Sequence, residues 1–176
     1  MSALVITTNY GVEQDELTEP VKALRDAGID VTIAAVSTDP IQTLVGDKDP
    51  GETVTPDTTI DAVDPASFDL LVVPGGTINA DNLRQEADAV DLARSFARDG
   101  KTIAAICHGP WLLVEAGLTD GRSLTSWASL KTDLRNAGAT WTDEELVTDS
   151  DGDWTLITSR SPDDLPAFTD AITSTT

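Results

Sequence analysis

The chain carries one cysteine and one histidine, and they are neighbours: Cys107 and His108 lie in Ile103-Ala104-Ala105-Ile106-Cys107-His108-Gly109-Pro110-Trp111. A thiol beside an imidazole is the smallest unit of nucleophilic catalysis, in which the thiolate attacks an electrophilic carbon and the ring carries the proton. The flanking residues suit a sharp strand-to-helix turn. The apolar run ends at Ile106, Gly109 permits close backbone approach, and Pro110 fits a first helical position, where its missing N–H would have no partner anyway. At such a turn the thiol faces the positive end of the next helix, which favours thiolate. The amide of His108, with that of Gly75 or Gly76 in "VVPGG", is placed to hold a developing oxyanion. The plainer alternative is an inert cysteine in the core, since free cysteine is among the most buried residues. The adjacent histidine, the Gly-Pro pair and the strand-helix junction favour the reactive site.

For these groups to meet, the surrounding chain has to bring several strand ends together. Residues 3–8 read as a first strand, and residues 13–27 place Leu17, Val21 and Leu24 on one helical stripe before Gly28. Residues 29–36 read as a second strand and 37–67, rich in Pro and Gly, as loops with at most a short hairpin; "GDKDPGE" (46–52) reads as a solvated loop. The continuous apolar runs at 68–74 and 101–107 suit strands covered on both faces, with a helix over 81–99 between them. Helices near Pro110 to Gly117 and over 129–137, a hairpin turning at Asp151-Gly152 and a final helix complete the pattern. Alternating strands and helices predict an α/β flavodoxin-like three-layer sandwich with a mostly parallel sheet and one domain over residues 1–176. Reactive groups in such sheets collect beyond the C-terminal strand ends, where Asn9 to Glu13, Pro74-Gly75-Gly76 and Cys107-His108 all fall.

Composition sets the outer limits. With 31 Asp and Glu against 11 Lys and Arg, the formal net charge is -20, which repels phosphate backbones and speaks against nucleic-acid partners. We read the excess as adaptation to high salt, where a dense carboxylate surface no longer repels itself. A single cysteine and a single histidine cannot build a structural zinc site, and no metal or cofactor is expected. No apolar run is long enough for a membrane span and the N-terminus lacks a basic flank, so a cytoplasmic protein without a membrane partner is expected. "DSDGDW" (149–154) resembles the start of a calcium loop, but Gly152 comes too early and position twelve is Arg160, so a hairpin turn is the better reading.

"AICHGP", with "VVPGG" upstream and "LTSW…LKTDLRNAGA" and "TSRSPDDLPAF" downstream, resembles the ThiJ/PfpI superfamily over about residues 3–170. The likeness is to its PfpI-type branch of intracellular cysteine hydrolases and deglycase-like stress proteins, class I glutamine amidotransferase-like in fold. The resemblance implies Cys107 as nucleophile on an elbow, His108 beside it, and a glutamate from the first strand-helix loop against the thiol. Within "NYGVEQDEL" that glutamate is expected to be Glu13, with Glu16 its nearest rival. On the residues alone, Glu13 reads more readily as a carboxylate complementing a helix start. The resemblance further implies that Asp81 reaches a neighbouring subunit's histidine in a homodimer or larger homo-oligomer; from local sequence Asp81 is also an N-cap for a helix beginning at Asn82. Trp127 stands where protease-like relatives carry tyrosine, so it can wall a pocket but cannot transfer a proton.

Three functions are compatible with these residues. The resemblance favours cofactor-independent chemistry on small reactive carbonyls or glycated substrates, of glyoxalase or deglycase type. The same thiolate with His108 as base would serve a peptidase or amidase. A redox sensor or chaperone would use Cys107 without turnover.

Overall fold

Strand side chains alternate strictly between two apolar clusters, and this alternation builds three layers. A computed structural model describes residues 1–175. Its elements begin with β1 (Ser2–Ile6), β2 (Tyr10–Glu13), α1 (Gln14–Asp26), β3 (Asp30–Ala35), β4 (Ile41–Val45), β5 (Asp49–Val54) and β6 (Thr58–Thr59). The middle of the chain forms β7 (Leu70–Val73), α2 (Thr77–Leu83), α3 (Ala87–Arg98), β8 (Thr102–Ile106) and α4 (Pro110–Ala116). There follow β9 (Ser123–Leu124), α5 (Lys131–Asn136), β10 (Thr140–Trp141), β11 (Val147–Asp149), β12 (Leu156–Ser159) and α6 (Leu165–Thr173).

The main sheet runs β11-β12-β8-β7-β1-β3-β6, parallel except for β11 at one edge, which pairs antiparallel with β12. Leu4, Ile6, Leu71, Val73, Ile103 and Ala105 point to the face covered by α3 and α4, where Phe96 and Leu113 are fully buried. Ala3, Val5, Leu70, Val72, Ala104 and Ile106 point to the opposite face, covered by α1 and α6 through Leu17, Leu24 and Phe168. This is the flavodoxin-like α/β sandwich that the strand-helix alternation predicts. Because β1 has β3 on one side and β7 on the other, chain direction along the sheet reverses there, and a crevice opens beyond the strand ends.

Three expectations need correction. The helix expected over 81–99 is two helices, broken at Arg84 to Glu86, where Glu86 turns extended (φ -81, ψ 111) before α3. The first of these starts at Thr77 after Gly76, so Asp81 lies inside α2 and does not cap it; it pairs instead with Arg84 at 3.2 Å. Residues 46–52 are no loose loop. They close the β4-β5 hairpin, and with β2 these strands form a separate three-stranded sheet stacked at the mouth of the crevice. A short hairpin is allowed for within 37–67, but local polarity makes 46–52 read as loop: five of the six β5 residues are polar, Gly or Pro, and none of the six is buried. The hairpin turning at residues 151–152 is present as predicted, between β11 and β12. No helix among the described residues is long and apolar enough to cross a membrane.

Candidate active site

β8 delivers the chain into the crevice, and Cys107 turns it. Cys107 has φ 61, a left-handed conformation that costs a side-chain-bearing residue about 1 to 3 kcal/mol and persists only where the surroundings fix it. Here the Cys107 amide donates to the Ser159 carbonyl at 3.0 Å and its carbonyl accepts from the Trp127 amide at 2.9 Å. The elbow is thus tied to the end of β12 on one side and to the Trp127 loop on the other. Cys107 and His108 are both 5% exposed, at the floor of a cavity of about 180 Å³ lined also by Glu13, Glu16, Gly46, Asp47, Trp127 and Pro162.

The carboxyl at the thiol is Glu16, which overturns the placement of Glu13 there. Glu16 lies in the first turn of α1 on the same buried stripe as Leu17, Pro20, Val21 and Leu24, and is completely buried. Its Oε2 accepts from the Gly75 amide at 2.8 Å. Its Oε1 is buried without a hydrogen-bond partner among the described residues, while the nearby Cys107 sulfur in its present rotamer lies 3.2 Å from His108 Nδ1. Burial pushes the Glu16 carboxyl up to about 8, against the pull of Cys107 and the Gly75 amide and with help from the negative Glu13 and Asp47. Glu16 therefore keeps its proton at neutral pH, and a proton on Oε1 would give that oxygen a hydrogen bond to offer the sulfur. Glu13 ends β2 and faces the hairpin turn instead. Its two oxygens accept from the Gly46 and Asp47 amides at 2.8 and 2.9 Å.

The oxyanion expectation is also narrowed. The Gly75 amide is committed to Glu16, which leaves those of Gly76 and His108 facing the sulfur. Gly75 has no room for a side chain: a Cβ there would stand 2.5 Å from Glu16 Oε2 and 2.8 Å from the His108 nitrogen. Burial opposes the thiolate that the helix end is expected to favour. Burial raises the Cys107 thiol above its usual range, and the Gly76 and His108 amides that face the sulfur pull it back in part. Among the lining residues there is no lysine or arginine to stabilise the anion. A buried thiol gives up its proton most readily to a base beside it.

His108 is that base by position. Its Nδ1 faces the sulfur, its Nε2 lies 3.2 Å from Thr77 Oγ1, and its ring lies between Trp111 and Trp127 with centroids 5.3 and 6.1 Å away. Burial lowers its pKa, opposed by the nearby Asp47 carboxylate, so the ring is neutral and able to accept a proton. Asp47, at the β4-β5 turn in a left-handed conformation (φ 56), accepts from the Thr77 amide at 2.8 Å and from Thr77 Oγ1 at 2.7 Å. Neither Thr77 nor Asp47 is foreseen by the sequence patterns. Trp127, 45% exposed, walls the cavity opening, and Asp81 stays on the surface of α2 beside Arg84.

A sequence model described as the DJ-1/PfpI family matches residues 1–175. The chain belongs to the DJ-1/PfpI family. It is 43% identical over 167 residues to protein/nucleic acid deglycase 2 of Escherichia coli, covering 94% of this chain and 91% of that one. It is 40% identical over 165 residues to general stress protein 18 of Bacillus subtilis, covering 94% of this chain and 92% of that one. Among solved structures, DJ-1beta of Drosophila melanogaster superposes with a TM-score of 0.86 at 35% identity, over 98% of this chain and 88% of that one. Among the described residues of this DJ-1/PfpI chain, no group of three or more His, Cys, Asp and Glu side chains is arranged to hold a metal ion.

Proposed function

We propose that this protein is a cysteine-dependent enzyme of deglycase type, acting without a cofactor on small reactive carbonyls such as methylglyoxal and on their early adducts with amines and thiols. The observation that carries it is the pairing of a buried thiol with a buried carboxyl that keeps its proton, Cys107 and Glu16, below two open amides. The names of the relatives, a deglycase and a stress protein, support the same reading. A cavity of about 180 Å³ suits a three-carbon carbonyl better than a peptide, since drug-sized ligands occupy roughly 300–1,000 Å³.

In this mechanism His108 Nδ1 takes the thiol proton as the sulfur bonds to the aldehyde carbon, and the amides of Gly76 and His108 receive the oxygen that becomes negative. From a hemiaminal adduct the sulfur displaces the amine at that carbon, and the proton that His108 took from the thiol passes to the leaving nitrogen. Glu16 gives its proton to the ketone oxygen and takes up the C–H proton of the hemithioacetal, forming an enediol; it then returns that proton to the former ketone carbon and takes the hydroxyl proton of the sulfur-bearing carbon, which leaves a thioester. The aldehyde carbon is oxidised and the ketone carbon reduced, so no outside oxidant is needed. Water cleaves the resulting thioester to lactate and free thiol. Trp127 closes the cavity over these steps, and the protein works as a homodimer or larger homo-oligomer, measurable by sedimentation velocity.

The test is release of free amine and lactate from a methylglyoxal adduct of N-acetyl-lysine. Wild type releases both and Cys107→Ala neither. Equal rates in the two proteins would overturn the reading. Amide cleavage lost in Cys107→Ala, without lactate, would replace it with a hydrolase. Peroxide-dependent oxidation of Cys107 with no turnover would replace it with a redox sensor.

A further inference from the structure

The second nitrogen of His108 ends in a chain of hydrogen bonds inside the same subunit, and its direction can be worked out. The Thr77 hydroxyl has one proton. Oγ1 lies 2.7 Å from Asp47 Oδ2 and 3.2 Å from His108 Nε2. A carboxylate only accepts, so the hydroxyl proton goes to Asp47 and Oγ1 must accept from the ring. His108 therefore carries its proton on Nε2, and Nδ1 faces Cys107 with a lone pair at 3.2 Å. The opposite tautomer would point an N–H at the thiol and leave it without a base.

We infer that Asp47 and Thr77 are positioning residues that fix the tautomer and orientation of His108, so that each subunit completes its own cysteine-histidine site across the β4-β5 hairpin. The proton path is balanced: Cys107 Sγ–H passes to Nδ1, and the resulting imidazolium keeps Nε2–H on Thr77 while Asp47 lies one bond beyond to stabilise the charge. The arrangement is held by the backbone. Glu13 accepts from the Gly46 and Asp47 amides and fixes the turn, and Asp47 Oδ1 accepts from the Thr77 amide at the start of α2. The titratable groups facing the ring, besides Cys107, are Asp47 from the hairpin, Glu13 from β2 and Glu16 from α1, of which Glu16 holds its proton; none but Asp47 reaches Thr77. This competes with the expectation that Asp81 of a neighbouring subunit orients the ring, because Nε2 already has an acceptor.

The inference rests on the cysteine-dependent reading above for its effect on rate but not for its effect on the ring. Since the chain has one histidine, ¹⁵N NMR of tag-free protein reports the tautomer of His108 without ambiguity. Wild type should show Nε2–H and an unprotonated Nδ1 in the neutral ring. Thr77→Val should mix the tautomers and lower kcat by roughly tenfold or more, within the 10²- to 10⁴-fold that a positioned acid–base group supplies, with KM changed much less. Thr77→Ser should restore the wild-type tautomer. Asp47→Asn, which tolerates the left-handed turn, should displace the Nε2–H form and move the acid limb of kcat/KM to lower pH, since a charge that raises the ring's pKa is removed. A tautomer unchanged in Thr77→Val and Asp47→Asn, or one lost in Asp81→Asn instead, would overturn the inference. Absence of carbonyl turnover in wild type would remove the function proposed above while the tautomer still decides the relay.

Discussion

Burial of the Glu16 carboxyl ties stability to pH. A carboxyl raised to about 8 in the native state and near its ordinary value of 4.5 when unfolded binds a proton in the native state that the unfolded chain has lost. The sign follows: the contribution of Glu16 is whole below the unfolded pKa and declines as pH rises from about 4.5 to about 8, by about 1.4 kcal/mol per pH unit. Glu16→Gln keeps the shape without the ionisation. It is expected to be more stable than wild type at pH 8, to lose that advantage near pH 4, and to be impaired in turnover; urea unfolding of both proteins across this range checks it. A difference between them that stays constant with pH would show that Glu16 is ionised in the fold. The sequence contained the signal that separates Glu16 from Glu13. Glu16 falls on the apolar stripe of α1, and a carboxyl on a buried helical face needs a reason; Glu13 at the strand-helix boundary does not.

At the scale of elements, the site depends on α2 approaching β2 closely. Gly76 adopts φ 80, and a Cβ there would press on the backbone of β2, on the Gly11 carbonyl and the Glu13 nitrogen. Gly76→Ala should lose well over 1 kcal/mol in urea unfolding and slow iodoacetamide alkylation of Cys107, because one amide facing the sulfur is displaced. Wild-type stability and alkylation rate in this variant would mean that the loop adapts and that the amide is not held in place. The sheet and its covering helices were legible because strands buried on both faces leave unbroken apolar runs, as in β7 and β8, and amphipathic helices repeat their period. The β4-β5 hairpin was legible only as a short hairpin within 37–67, and its turn read as a solvated loop. The residues of β5 are mostly polar, Gly or Pro and none is buried, and the role of the turn depends on Asp47 meeting Thr77, thirty positions away in sequence. No local pattern encodes that meeting.

Across the whole molecule, a formal net charge of -20 acts on every acidic group at once. In dilute buffer the screening length is about 10 Å and the surface repels itself; at about 1 M it is near 3 Å and neighbouring carboxylates are largely uncoupled. We propose that the protein is adapted to high salt, and expect its melting temperature to rise between 0.1 M and 2 M KCl by more than that of a near-neutral member of the DJ-1/PfpI family. Equal shifts in the two proteins would assign the effect to salt in general. The fold class could be read from the order of strands and helices and the reactive pair from its junction, whereas the partners of that pair, Glu16, Asp47, Gly76 with Thr77, Trp127 and Ser159, came from separate segments and required the assembled crevice.

The most direct test of the central claim is intact-mass and peptide-level mass spectrometry of wild type quenched during steady-state turnover of methylglyoxal. The account predicts one covalent adduct on Cys107 that appears within a turnover, decays at the rate of lactate release and is absent in Cys107→Ala. Lactate formed at the wild-type rate by Cys107→Ala, or an adduct at Cys107 that accumulates without decaying, would contradict it.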